Sequence, residues 1–135
     1  MSELEQTELL KLAARASGAG RLENPDGSAE IRNPFCGDRL KLDVRLEDGK
    51  VVEIGYEIRA CLVCQASASI VGERMPGRRV EEIANVAAEV ERFLKDGGDP
   101  PEFFALFEPM KPHLNRHVCI LMPFQGVAEA AEGAG

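Results

Sequence analysis

Two stretches of strict alternation constrain this chain more than any other feature. Over residues 39–46, Leu40, Leu42, Val44 and Leu46 fall on one side, with Arg39, Lys41, Asp43 and Arg45 on the other. Over residues 51–58, Val52, Ile54, Tyr56 and Ile58 alternate with Val51, Glu53, Gly55 and Glu57. A period of two is that of a half-buried β-strand. The turn between the runs sets their register. A two-residue Asp48-Gly49 loop places Leu46 opposite Val51 and carries Glu53 onto the apolar face. A three-residue Asp48-Gly49-Lys50 loop pairs Leu46 with Val52 and keeps the apolar sets together, so this longer loop, with its usual bulge, is the expected one. The resulting antiparallel sheet has one apolar face, which helices must cover.

The rest of the chain supplies those helices. A helix is expected over about residues 3–16, started by the capping-box spacing of Ser2 and Glu5 and ended by Gly18 and Gly20. Asn24-Pro25-Asp26-Gly27 reads as a loop, and residues 29–33 as a short strand. Residues 65–73, rich in Ala and Ser, form a helix able to approach a neighbour closely. Val80, Ile83, Ala84, Ala87, Val90 and Leu94 mark an amphipathic helix ended by Gly97-Gly98. Phe103, Phe104 and Phe107 make an aromatic segment stopped by Pro109, and residues 127–132 a last helix or frayed tail with Pro123 near its start. The fold class is α+β, a small antiparallel sheet packed on one face by helices. A single domain is expected over 1–135, with helix and loop in 1–20, sheet in 29–60 and a helical part in 61–135.

The chemistry concentrates in three short clusters: Cys36-Gly37-Asp38, Cys61-Leu62-Val63-Cys64 and Arg116-His117-Val118-Cys119. A net charge of −7 argues against nucleic acid and against an anionic membrane surface. No apolar run approaches the roughly 20 residues that span a bilayer. The acidic start, Met-Ser-Glu-Leu-Glu-Gln, lacks the order of a secretory signal, so a cytoplasmic location with reduced thiols is expected. There, scattered cysteines read as a metal or sulfur-handling site rather than a disulfide framework. Cys36, Asp38, Cys61 and Cys119 make a mixed sulfur and oxygen set suited to zinc or an iron–sulfur cluster. Cys64 and His117 are the alternative further ligands, and Cys64 can equally be a packing residue. A cysteine at a helix start, as Cys61 would be, is biased toward its thiolate.

At these residues the chain resembles the iron–sulfur cluster assembly scaffold family, the group of IscU, SufU and NifU N-terminal domains. Asn33-Pro34-Phe35-Cys36-Gly37-Asp38 is similar to the family's Asn-Pro-x-Cys-Gly-Asp signature. Cys61 followed by Gln65-Ala66-Ser67-Ala68-Ser69 resembles its second cysteine and the Ala-Ser helix after it, and Cys119-Ile120-Leu121 its third cysteine. Arg59-Ala60 stands where a glycine usually precedes the second cysteine. The long interval between Cys61 and Cys119, and Arg116 before the last cysteine, resemble the SufU branch. Asn115-Arg116-His117 stands where the IscU branch carries a Leu-Pro-Pro-Val-Lys stretch, so no dedicated Hsp70 motif is expected.

The resemblance implies a carrier rather than an enzyme. It would accept sulfur from a cysteine desulfurase, with Cys36 and Cys119 as sulfur-handling thiols. It would build a transient [2Fe–2S] cluster on Cys36, Asp38, Cys61 and Cys119 and pass it to acceptor or carrier proteins. An alternative is a zinc-dependent sulfurtransferase serving a SUF-type desulfurase. A third, of another class, is a structural zinc module that only binds partners.

Overall fold

The computed structural model describes residues 3–33, 37–97, 107 and 114–134. The elements are α1 (Glu3–Arg15), β1 (Gly27–Arg32), β2 (Arg39–Glu47), β3 (Lys50–Arg59), α2 (Leu62–Arg74), α3 (Val80–Asp96) and α4 (Leu114–Ala134). The three strands form one antiparallel sheet in the order β1-β2-β3, so the fold is α+β as expected. Leu40, Leu42, Val44, Ile54 and Tyr56 are buried on its inner face. α4 lies across β1 and β2 there, α2 packs between α1 and α4, and α3 packs on α4.

The hairpin differs from the expected register in an informative way. Leu46 pairs with Val51 and Glu47 with Lys50, so the loop is the two-residue Asp48-Gly49, with φ of 52° and 76°. Positive φ at both central residues is the backbone twist that suits a two-residue hairpin. The anticipated bulge is present, but inside β3: the register shifts between Arg45, opposite Glu53, and Leu46, opposite Val51. The extra residue lets Val51 and Ile54 both turn inward while Val52 and Glu53 stay exposed. The outer edge of β3 fixes Val51 further. Its N–H donates to the Arg78 carbonyl, and its carbonyl accepts from Gly77 N–H.

The last helix is the second departure. It begins at Leu114, not near residue 127, and contains Pro123 in its interior. Proline inside a helix lacks the N–H that would bond the carbonyl four residues earlier, here that of Cys119. One turn away the Ile120 carbonyl accepts a buried hydrogen bond of 2.7 Å from the Ser67 hydroxyl of α2. Burial on the sheet and this cross-helix bond hold the segment helical against its local propensity.

Small residues set the close approaches. A Cβ on Gly72 of α2 would overlap the Ser17 carbonyl oxygen, and one on Gly27 that of Ala130 in α4. The chain after α1 pairs with the edge of β3, where Gly20 N–H donates to the Tyr56 carbonyl. It then crosses the outer face of the sheet over Gly55. There Asp43 is fully buried and accepts from Arg21 Nε (2.6 Å), Arg21 Nη2 (2.9 Å), Ser28 Oγ (2.6 Å) and Leu22 N–H (3.1 Å). The expected aromatic pair Phe103 and Phe104, with Pro109, lies outside the described residues, whereas Phe107 is fully buried.

Candidate metal centre

Three elements deliver three donors to one point at the end of the sheet. Asp38 precedes β2, in a turn closed by Asn33 N–H donating to the Asp38 carbonyl (2.9 Å) and Gly37 N–H donating to the Asn33 carbonyl (3.0 Å). Gly37 has φ of 73°, a conformation that glycine adopts without strain. Cys61 follows β3 as the N-cap residue of α2, and Cys119 lies in the second turn of α4. One ligand atom from each lies within 4.8 Å of the others. Asp38 and Cys119 are buried and Cys61 is half-buried, so solvent reaches the group from the Cys61 side.

The two thiols are electrostatically unequal. A hydrogen bond from Cys119 lowers the Cys61 pKa to about 6, helped by the Cys64 and Val63 amides at the start of α2 and opposed by burial and by Asp38. Conversely, the Cys119 thiol is pushed strongly upward by its hydrogen bond to Cys61, by burial and by the negative charges of Cys61 and Asp38. Its Sγ also lies 3.5 Å from Asp38 Oδ2, to which it donates. Without metal, Cys61 is therefore biased to its thiolate and Cys119 to its thiol, with Asp38 Oδ2 held 3.5 Å from Cys119 Sγ. A cation would relieve that crowding of negative charge. Soft sulfur with one oxygen donor fits zinc or iron.

The other candidates fall differently. Cys36 lies outside the described residues. Cys64 is fully buried in the apolar core, and its backbone amide bears on Cys61. His117 is buried, but two residues along a helix turn a side chain about 200° away from Cys119. Among the described residues only Asp38, Cys61 and Cys119 form such a donor group. The unequal protonation of the two thiols could not be read from sequence, because it depends on a contact between residues 58 positions apart. No helix of the described residues is long and apolar enough to cross a membrane.

Comparison with known proteins bears on the family and the fold. Residues 5–103 match the family described as the NifU-like N terminal domain. The chain is 32% identical over 115 residues to the iron-sulfur cluster assembly scaffold protein IscU of Thermotoga maritima, covering 82% of this chain and 80% of that protein. A shorter alignment, 33% identical over 52 residues, relates it to the zinc-dependent sulfurtransferase SufU of Bacillus subtilis, of which it spans 35%. The fold superposes with a TM-score of 0.89 on the N-terminal NifU-like protein from Brucella abortus, at 27% identity, covering 94% of this chain and 91% of that one. Cys119 lies beyond the matched stretch of the family, yet the fold returns it to Asp38 and Cys61, and the chain belongs to the NifU-like N-terminal domain family of iron–sulfur cluster assembly scaffolds.

Proposed function

We propose that this protein assembles and releases an iron–sulfur cluster, taking sulfur from a cysteine desulfurase and iron from solution, and handing the product to acceptor proteins. The observation that carries this reading is the donor group itself: two thiols and a carboxylate within 4.8 Å, one side open to solvent. Thiolates capture soft metals, whereas a carboxylate holds them less firmly and favours release. Sulfur arrival needs a nucleophile. A thiolate of the scaffold attacks the outer sulfur of the desulfurase persulfide, a new S–S bond forms, and the desulfurase thiolate departs. Two electrons from an external reductant then convert that sulfur to sulfide. Among the described residues Cys61 suits the attacking role, since its thiolate is favoured, while Cys119 is held as a thiol. Cys36 is the other candidate, through its place in the Asn-Pro-x-Cys-Gly-Asp motif.

The test is reconstitution under strict anaerobic conditions with iron, cysteine and a cysteine desulfurase, following the visible absorbance and its transfer to an apo-acceptor. Asp38→Ala should bind a cluster that persists several-fold longer and transfers more slowly. Loss of binding altogether in that variant would remove the labile-ligand role assigned to Asp38.

A second reading is zinc-dependent sulfur transfer, supported by the similarity to the Bacillus subtilis sulfurtransferase. Here the same three residues, with Cys36, would hold zinc until a desulfurase frees one thiolate. Desulfurase turnover should then rise on addition of the zinc-loaded protein, and an unchanged turnover would eliminate this reading.

A further inference from the structure

The outer face of the sheet carries its charges in rows across the three strands. Glu30, Lys41 and Glu57 form one row, in which a cation sits between two carboxylates. The next row, at the end of the sheet nearest the metal centre, is Arg32, Arg39 and Arg59. All three are exposed. Arg39 stands directly opposite both of the others, and like charges in directly opposed positions destabilise a sheet. Arg32 is bonded to Glu30, at 2.7 Å from Nε. Among the described residues the Arg39 and Arg59 side chains make no ion pair or hydrogen bond, though the Arg39 charge acts on Glu30 from the neighbouring row. Within the row the three guanidinium groups repel one another, and the ion pair to Glu30 lies outside it.

Its position supplies a reason for it. Arg32 precedes Asn33, Arg39 follows Asp38, and Arg59 stands two residues before Cys61. Arg39 lines both the cleft beside Asn33, Gly37 and Asp38 and the adjoining hollow floored by Lys41, Glu57 and Arg59. The cationic surface is therefore continuous with the rim of the metal centre. Guanidinium groups grip carboxylates in paired hydrogen bonds, and a charged rim speeds and orients encounter. Three guanidinium groups bounded by Glu30 and Glu57 match a short run of carboxylates, whereas a polyphosphate strand draws its affinity from more phosphate contacts than this row offers.

We propose that the Arg32–Arg39–Arg59 row docks an acidic segment of a partner protein, seating that partner's reactive residues over the Asp38–Cys61–Cys119 group. The charge pattern carries this inference without any assumption about which metal the group holds.

A titration of the 15N-labelled protein as purified with a hexaglutamate peptide, at low and at physiological salt, tests it. Backbone amides at residues 32, 39 and 59 should shift, with a dissociation constant that weakens as salt rises. Arg39→Glu with Arg59→Glu should weaken binding at least about tenfold, corresponding to about 1.4 kcal/mol. The milder Arg59→Gln should weaken it less, with a melting temperature equal to or above the parent's because a like-charge contact is relieved. Shifts confined to other surfaces, binding unaffected by the double variant, or tighter binding of a six-nucleotide oligothymidylate to the same row would each overturn the proposal. Metal content measured in parallel separates this outcome from any failure of the metal-centre reading.

Discussion

A single contact decides how the two described thiols divide their labour. Cys119 donates toward Cys61 and toward Asp38, so one sulfur is held protonated and the other is biased to the thiolate. In metal-free protein, Cys61 should react with iodoacetamide at neutral pH, its rate falling by half near about pH 6. Only the thiolate attacks, so the rate follows deprotonation. Site-resolved mass spectrometry reads this directly, and Cys119→Ser should move the Cys61 midpoint upward if the sulfur–sulfur contact is the main cause. A midpoint at the ordinary thiol value in the parent protein would contradict the assigned asymmetry. Motif and spacing single out Cys36, Asp38, Cys61 and Cys119, of which the last three are described and lie together. Spacing leaves Cys64 open, and only packing shows this side chain buried in the core.

At the scale of elements, alternation located the strands and amphipathic periodicity located α3. The hairpin loop is one residue shorter than the alternation implies, because bulge and loop length compensate each other. A two-residue turn with an internal bulge satisfies the same hydrophobic pattern as a longer loop. The first half of α4 was hidden by Pro123, whose local cost is outweighed by tertiary burial. Asp43 was placed on the solvated face, yet the crossing segment buries it. That segment makes Asp43 a tie between sheet and N-terminal arm. Burial pushes its carboxyl up, but hydrogen bonds from Arg21, Ser28 and Leu22 N–H, with the Arg21 charge, bring it below the usual carboxylate value. A folded-state pKa below the unfolded one means the carboxylate stabilises the fold above the ordinary carboxylate range, and this contribution is lost as pH falls through the folded value. Asp43→Asn should cost about 2 kcal/mol at neutral pH by urea unfolding. The gap from the parent should narrow as pH falls below the ordinary carboxylate range. A gap that stays constant would show that the ionised form contributes nothing.

Over the whole molecule, the fold serves to bring chain segments far apart in sequence to one end of the sheet. Residue 38 arrives before β2, residue 61 after β3, and residue 119 on a helix that must cross β1 and β2 to reach them. Burial of Asp38 and Cys119, with Cys61 nearer solvent, makes the group accessible from one side, as a carrier needs and a permanently buried cofactor site does not. The arginine row borders that site. The proposed role of this group is to hold a transient iron–sulfur cargo. Iron and acid-labile sulfide, measured together on protein purified under strict anaerobic conditions, test that role. Iron with about equal sulfide, both lost in Cys61→Ser and Cys119→Ser, is the predicted result. Stoichiometric zinc without sulfide, with no iron taken up on reconstitution, would contradict it.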